Sequence, residues 1–109
     1  MRTELPVIAE PRMDLAAPDV ASAQAVAALL GERIRASILR MLRDGPHCVC
    51  EMAAALGERE NNLSNHLAKL RDAGLVHATR HEANGRFLYY ERDEAACAAA
   101  LRAIGEILS

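Results

Sequence analysis

Aromatic residues are almost missing from this chain of 109 residues: there is no tryptophan, and Phe87, Tyr89 and Tyr90 fall within four positions of one another. A core without aromatics has to be assembled from Leu, Ile, Val, Ala and Met, a set that favours helices. Also lacking is any apolar run near the roughly 20 residues that a membrane helix requires, and the N-terminus has neither the charged start nor the continuous apolar stretch of a signal peptide. These absences predict a cytoplasmic protein with no membrane partner. An excess of positive charge is missing too, with a formal net charge of -2 and a pI near 6.1, so a case for nucleic-acid binding has to rest on local charge and motif. Cysteine is scarce. Three are present, Cys48, Cys50 and Cys97, and an odd number in a reducing compartment argues against a disulfide framework and for metal binding, redox sensing or core packing. The length suits one domain with a core of modest size, which a partner subunit would help to complete.

What is present is arranged as short helices and one hairpin. Residues 1–18 carry Pro6, Pro11 and Pro18 with mixed charges and no period, and read as a mobile arm, leaving 19–109 as the folded domain. Asp19 is expected to cap a helix over about 20–30, with Val26, Leu29 and Leu30 on its apolar face. A second helix, "ERIRASILRMLRDG", aligns Ile34, Ile38, Met41 and Leu42 and stops at Gly45-Pro46. A short third helix over about 49–56 and a fourth over about 60–73, each ending at a glycine, form a helix-turn-helix. "LVHATRHEANGRFLYYE", β-branched and aromatic around Asn84-Gly85, predicts a β-hairpin, the wing. The last helix, from about 94, aligns Cys97, Leu101, Ile104 and Leu108 in a stripe that a second subunit is expected to cover. The fold class is therefore mainly α with a β-hairpin wing, a homodimeric winged helix-turn-helix, with its dimer interface on Val26, Leu29, Leu30, Leu101, Ile104 and Leu108.

Two constellations carry chemistry. On the fourth helix Leu63, Leu67 and Leu70 share one face, and Asn61, Asn62, Asn65 and Lys69 lie on the opposite one. Three asparagines weaken a helix, but asparagine can pair with adenine in the major groove, and Ser64 and Lys69 can bind phosphates. Residues 61–90 hold Lys69, Arg71, Arg80 and Arg86 against Asp72 and Glu82, a local excess of +2 in an acidic chain. His66 flanks the apolar face, where packing or an internal hydrogen bond competes with a phosphate contact; Arg80, His81 and Arg86 on the hairpin can reach phosphates or the minor groove. The second constellation is Cys48-Val49-Cys50. Cys48 occupies the N-cap position of the third helix, with Glu51 three residues on, so a capping box has exchanged its hydroxyl for a weaker thiol acceptor. Cys50 lies in the first turn, where the helix dipole favours a thiolate. Two such sulfurs select soft, thiophilic ions over magnesium or calcium.

Taken together, two helices, "CVCEMAAAL", "LSNHLAKLRDAGLV" and "GRFLYYE" resemble the ArsR/SmtB family of winged-helix metalloregulatory repressors over about residues 29–108. The resemblance implies a non-enzymatic homodimer that binds a roughly palindromic double-stranded DNA operator and leaves it when an ion binds. C-V-C before an acidic residue is similar to the arsenic- and cadmium/lead-sensing branches, which implies arsenic(III) or antimony(III) as inducer at Cys48 and Cys50, with no organic cofactor. Further cysteines of the cadmium/lead branch come from the N-terminal arm, and residues 1–47 contain none. Some arsenic sensors carry a third cysteine where this chain has Ala53, which leaves Cys97, solvent or a small thiol as third ligand. The family's zinc/nickel site on the last helix corresponds to Asp93, Ala95, Glu106 and Ser109, which lack its histidines. The hairpin turn "EANG" is longer than usual for the family, Arg59 stands where a serine often caps the reading helix, and Glu58 and Glu60 lie near the expected phosphate path.

Alternatives remain open: a cadmium-, lead- or zinc-responsive repressor, and a thiol redox or persulfide switch with Cys97 as resolving thiol. A small thiol oxidoreductase is the weakest reading, because C-x-C is not the redox C-x-x-C and no βαβ pattern surrounds it.

Overall fold

A computed structural model of the chain describes residues 18–80 and 88–109. Its elements run α1 (Pro18–Leu30), α2 (Arg33–Met41), β1 (His47–Cys48), α3 (Val49–Leu56), α4 (Glu60–Asp72), β2 (Val76–Arg80), β3 (Leu88–Arg92) and α5 (Glu94–Leu108). Helix α1 begins two residues earlier than the sequence suggests: Pro18 is its first residue and Asp19 lies within its first turn instead of capping it. Proline suits that position, because its fixed φ is already helical and the first-turn N–H it lacks has no intrahelical acceptor. The division between arm and domain drawn at 18/19 thus falls inside the helix; residues 1–17 lie outside the described residues.

The amphipathic helices assemble as their periods demand. Ile38 from α2, Leu42 from the turn after it, Met52 and Ala53 from α3, and Leu63, Leu67 and Leu70 from α4 join Leu75, Val76 and Tyr90 in one buried cluster. Helix α2 starts at Glu32, whose carboxylate accepts the Ile34 N–H at 2.9 Å, and ends in a 3-10 turn over Leu42–Asp44, closed by Gly45 at φ 137°. The turn between α3 and α4 depends on Gly57 at φ 67°, a left-handed conformation that a β-carbon disfavours, with the Glu58 N–H returning to the Ala53 carbonyl at 3.0 Å. That tight turn fixes α3 against α4.

The hairpin strands pair antiparallel, from Val76 opposite Arg92 to Arg80 opposite Leu88. Its predicted turn at Asn84-Gly85, together with His81, Arg86 and Phe87, lies outside the described residues. A third strand escaped the sequence reading. β1 pairs with β3, His47 opposite Tyr90 and Cys48 opposite Tyr89, so the sheet order is β1-β3-β2. Two residues after Gly-Pro are too few to display an alternating pattern, which is why only the tertiary pairing reveals them.

α5 packs along α1 yet has no buried residue. Asp93 caps it, accepting the Ala96 N–H at 2.8 Å and meeting His77 Nε2 at 2.9 Å. Along its open side Leu101 is 73% and Leu108 79% exposed, Ile107 is exposed and Ile104 half-buried, while on α1 Leu30 is exposed and Val26 and Leu29 are half-buried.

Candidate functional site

Cys48 is the hinge between two kinds of structure. It ends β1 in an extended conformation (φ -83°, ψ 163°), and the helix starts only at Val49. Two helical side chains at i and i+2 would point about 200° apart. Because Cys48 is not helical, that separation does not arise, and its Sγ meets that of Cys50 above the N-terminus of α3. The two sulfurs are joined as a disulfide. This corrects the expectation of a cysteine set without a disulfide; the structure holds the oxidised form of the pair.

The capping box at the same place is complete, although its acceptor is sulfur. Cys48 Sγ accepts the Glu51 N–H at 3.3 Å, and the Glu51 carboxylate accepts the Cys48 N–H at 2.9 Å. His47 Nδ1 donates to the same carboxylate oxygen at 3.3 Å. The Glu51 carboxyl is held below the usual carboxylate range, chiefly by the Cys48 N–H, with desolvation opposing and His47 assisting. Its charged-form bond is therefore present above the ordinary carboxylate pKa and is lost as pH falls through the lowered value. Cys48 is buried, Cys50 half-buried.

Cys97 is elsewhere. Its thiol points to the Leu75 carbonyl at 3.9 Å and lines a cavity of about 380 Å³ with Val26, Leu30 and Leu39, separate from the C-x-C pair. Burial pushes that thiol's pKa up, with Arg92 nearby opposing, so it is less thiolate-like than an exposed cysteine.

The polar face of α4 is divided. Asn61, Ser64, Asn65 and Lys69 are exposed together. Asn62 is half-buried and donates to the Glu58 carboxylate at 2.9 Å, so part of its amide is already engaged. His66 accepts at Nδ1 from Arg35 Nη1 at 3.1 Å; guanidinium can only donate, which leaves the ring hydrogen on Nε2. His66 thus makes an internal hydrogen bond. Sequence reasoning missed Arg35. Its Nε donates to the Leu29 carbonyl at 2.7 Å and its Nη2 to the Ala28 carbonyl at 3.3 Å, tying the end of α1 to α4. The only signal was an arginine on the polar edge of α2, and its partners are remote in sequence. Helix α4 begins at Glu60 with Arg59 as its N-cap, and no side chain caps its first N–H groups. Exposed Arg80 at the end of β2 lines one cavity with Cys48, Cys50 and Ser64, so the sulfur pair, α4 and the hairpin meet there.

A short helix, a tight glycine turn, a second helix with an exposed asparagine-lysine face and a following antiparallel hairpin define a winged-helix DNA-binding regulator. Residues 33–78 match the model described as "Bacterial regulatory protein, arsR family". Residues 33–78 thus carry the domain of that family, a family of DNA-binding transcriptional regulators and not of enzymes. Over 58 residues, 53% of this chain, the protein is 40% identical to the arsenic resistance transcriptional regulator ArsR1 of Pseudomonas putida (strain KT2440), and the match spans 42% of that relative. Among solved structures it resembles a "Possible transcriptional regulator for arsenical resistance", with TM-score 0.71 and 26% identity over 78% of this chain and 85% of the other. The transcriptional regulator HlyU of Vibrio vulnificus CMCP6 is 31% identical, with TM-score 0.61 over 73% of this chain and 81% of the other. Among the described residues no helix is long and apolar enough to cross a membrane.

In reducing buffer, Cys48→Ala, which removes the cap acceptor, is expected to destabilise the protein by about 0.5–2 kcal/mol relative to Cys48→Ser, which restores a hydroxyl cap. Urea unfolding checks this; equal midpoints for the two variants would show that a side-chain cap at this position is idle.

Proposed function

We propose that the chain is a transcriptional repressor that leaves its operator when arsenic(III) or antimony(III) binds Cys48 and Cys50 in their reduced form. The observation that carries this reading is the convergence of both sulfurs above the first turn of α3, one glycine turn from the reading helix. Reduction returns two thiols to one point, a soft donor pair suited to thiophilic ions, among which cadmium, lead and zinc are the alternatives. The arsenic resistance named for the two relatives supports the metalloid. An ion spanning the sulfurs competes with the cap that Cys48 Sγ gives to Glu51, and loosening that turn shifts α3. Because α3 packs on α4, a displacement of a few ångströms misaligns two half-sites that must enter the groove together. Moving from mostly bound to mostly free operator takes about 5 kcal/mol of differential affinity, within the reach of two or three sulfur bonds.

For DNA, the reading favours Asn61, Ser64, Asn65 and Lys69 on the exposed face, with Arg80 at the wing and Asn62 and His66 in supporting positions; His81 and Arg86 belong to the same proposal. The operator is a roughly palindromic duplex read by a dimer joined through α1 and α5. The exposure of Leu30, Leu101 and Leu108 supports that pairing, since a small monomer gains nothing from such a face.

The disulfide favours a second reading, a redox switch confined to Cys48 and Cys50. A peroxide would take two electrons and two protons from the thiols, forming the S–S bond and two waters. This reading does not require Cys97 as resolving thiol.

Operator release followed by fluorescence anisotropy tests the first reading. Wild type, reduced, is expected to dissociate on adding arsenite; Cys48→Ser and Cys50→Ser are expected to bind DNA and stay bound, and Cys97→Ser to keep at least part of the response. Release that persists in the Cys48/Cys50 double variant contradicts the mechanism, and release by peroxide but not arsenite selects the redox reading. Asn65→Ala is expected to cost about 1–3 kcal/mol of specific binding, and Lys69→Ala to weaken all sequences alike and lower the salt slope by about one. Unchanged operator affinity in Asn65→Ala would remove the reading face from α4. Sedimentation of the free protein is expected to give two chains per particle, and a folded monomer at micromolar concentration would exclude the α1/α5 interface.

A further inference from the structure

Trivalent arsenic makes three bonds to sulfur when it can, and the C-x-C pair supplies two. The sequence contains one other thiol, Cys97. In the fold Cys97 faces the Leu75 carbonyl in a different cavity, and among the described residues no third His, Cys, Asp or Glu joins the pair as a ligand cluster. What adjoins the sulfurs is space. A cavity of about 300 Å³ opens from Cys48 and Cys50, with Val49 and Leu88 as apolar walls and Glu60, Ser64 and Arg80 as polar ones. That volume suits a molecule of small-ligand size.

Resting on the arsenic reading above, we propose that the third ligand is the thiolate of a small carboxylate-bearing thiol, seated in this cavity with its carboxylate toward Ser64 and Arg80. The step balances without redox change. Arsenous acid, As(OH)3, exchanges its three As–O bonds for three As–S bonds, to Cys48, Cys50 and the small thiol; the three thiol protons leave with the three hydroxides as water, and arsenic stays trivalent. The adduct has a functional consequence. The body of the thiol occupies the corner where Ser64 on the reading helix and Arg80 on the wing face the DNA, so it takes the ground of a phosphate while the ion loosens α3.

The experiment uses the full-length protein reduced with a phosphine, which contributes no thiol, and adds arsenite alone, with mercaptosuccinate, or with 2-mercaptoethanol. Native mass spectrometry reads the adduct mass, and X-ray absorption at the arsenic edge reads the sulfur count. Arsenite alone is expected to give two sulfurs and one oxygen; either thiol should give three sulfurs and a mass increment of one arsenic plus one thiol. Mercaptosuccinate should be retained in preference to the neutral thiol, and Arg80→Ala should reduce that preference about two- to fivefold. Three sulfurs with arsenite alone, or an adduct that never retains a thiol, overturns the inference while leaving the arsenic reading intact. No arsenic bound in any arm overturns the arsenic reading itself.

Discussion

The reciprocal pair of hydrogen bonds at the head of α3, Cys48 N–H to the Glu51 carboxylate and Glu51 N–H to Cys48 Sγ, determines where everything chemically distinctive in this molecule lies. It holds Cys48 in an extended conformation, which lets that residue pair with Tyr89 in the sheet and aims its sulfur over the helix instead of around it. An N-cap bond is worth about 0.5–2 kcal/mol, and a thiol is a weaker acceptor than a hydroxyl. A stronger cap would fix the turn. The weaker one is easier to displace, which is what the proposed ion switch requires of this turn.

From that turn the connection to DNA is short. Met52 and Ala53 of α3 and Leu63, Leu67 and Leu70 of α4 are buried in one cluster, and Gly57 permits only a tight reversal between the helices. Close-packed interiors transmit a displacement instead of absorbing it. A second link enters from the far side, where Arg35 joins the last carbonyls of α1 to His66 on α4. The reading helix is thus held between the sulfur turn and the helix pair proposed to carry the dimer. Its orientation answers to both.

The sequence made the helices legible because each has its own period and its own stop. Ile34, Ile38, Met41 and Leu42 mark α2, the leucines at 63, 67 and 70 mark α4, and Gly57 and Gly74 end their helices at positive φ. Tertiary pairing was not legible. β1 is two residues long and exists because β3 lies beside it, and Arg35 meets His66 across 31 positions of chain. The C-x-C pair was recognisable as chemistry, yet the pairing of Cys48 with Tyr89 that accompanies its extended backbone leaves no pattern in two residues of sequence. Asn62 illustrates the limit on the reading face: its place on the helix was clear, whereas the Glu58 carboxylate that engages it became apparent only in three dimensions.

The claim that sensor and cap are one and the same sulfur is tested most directly by amide hydrogen exchange at Glu51, followed in the reduced protein as arsenite is added in the absence of DNA. The account predicts that the Glu51 amide loses protection as the ion takes Cys48 Sγ from it, with faster exchange spreading to the first turn of α3. Unchanged protection at Glu51 under conditions where the same arsenite concentration releases the operator would contradict it.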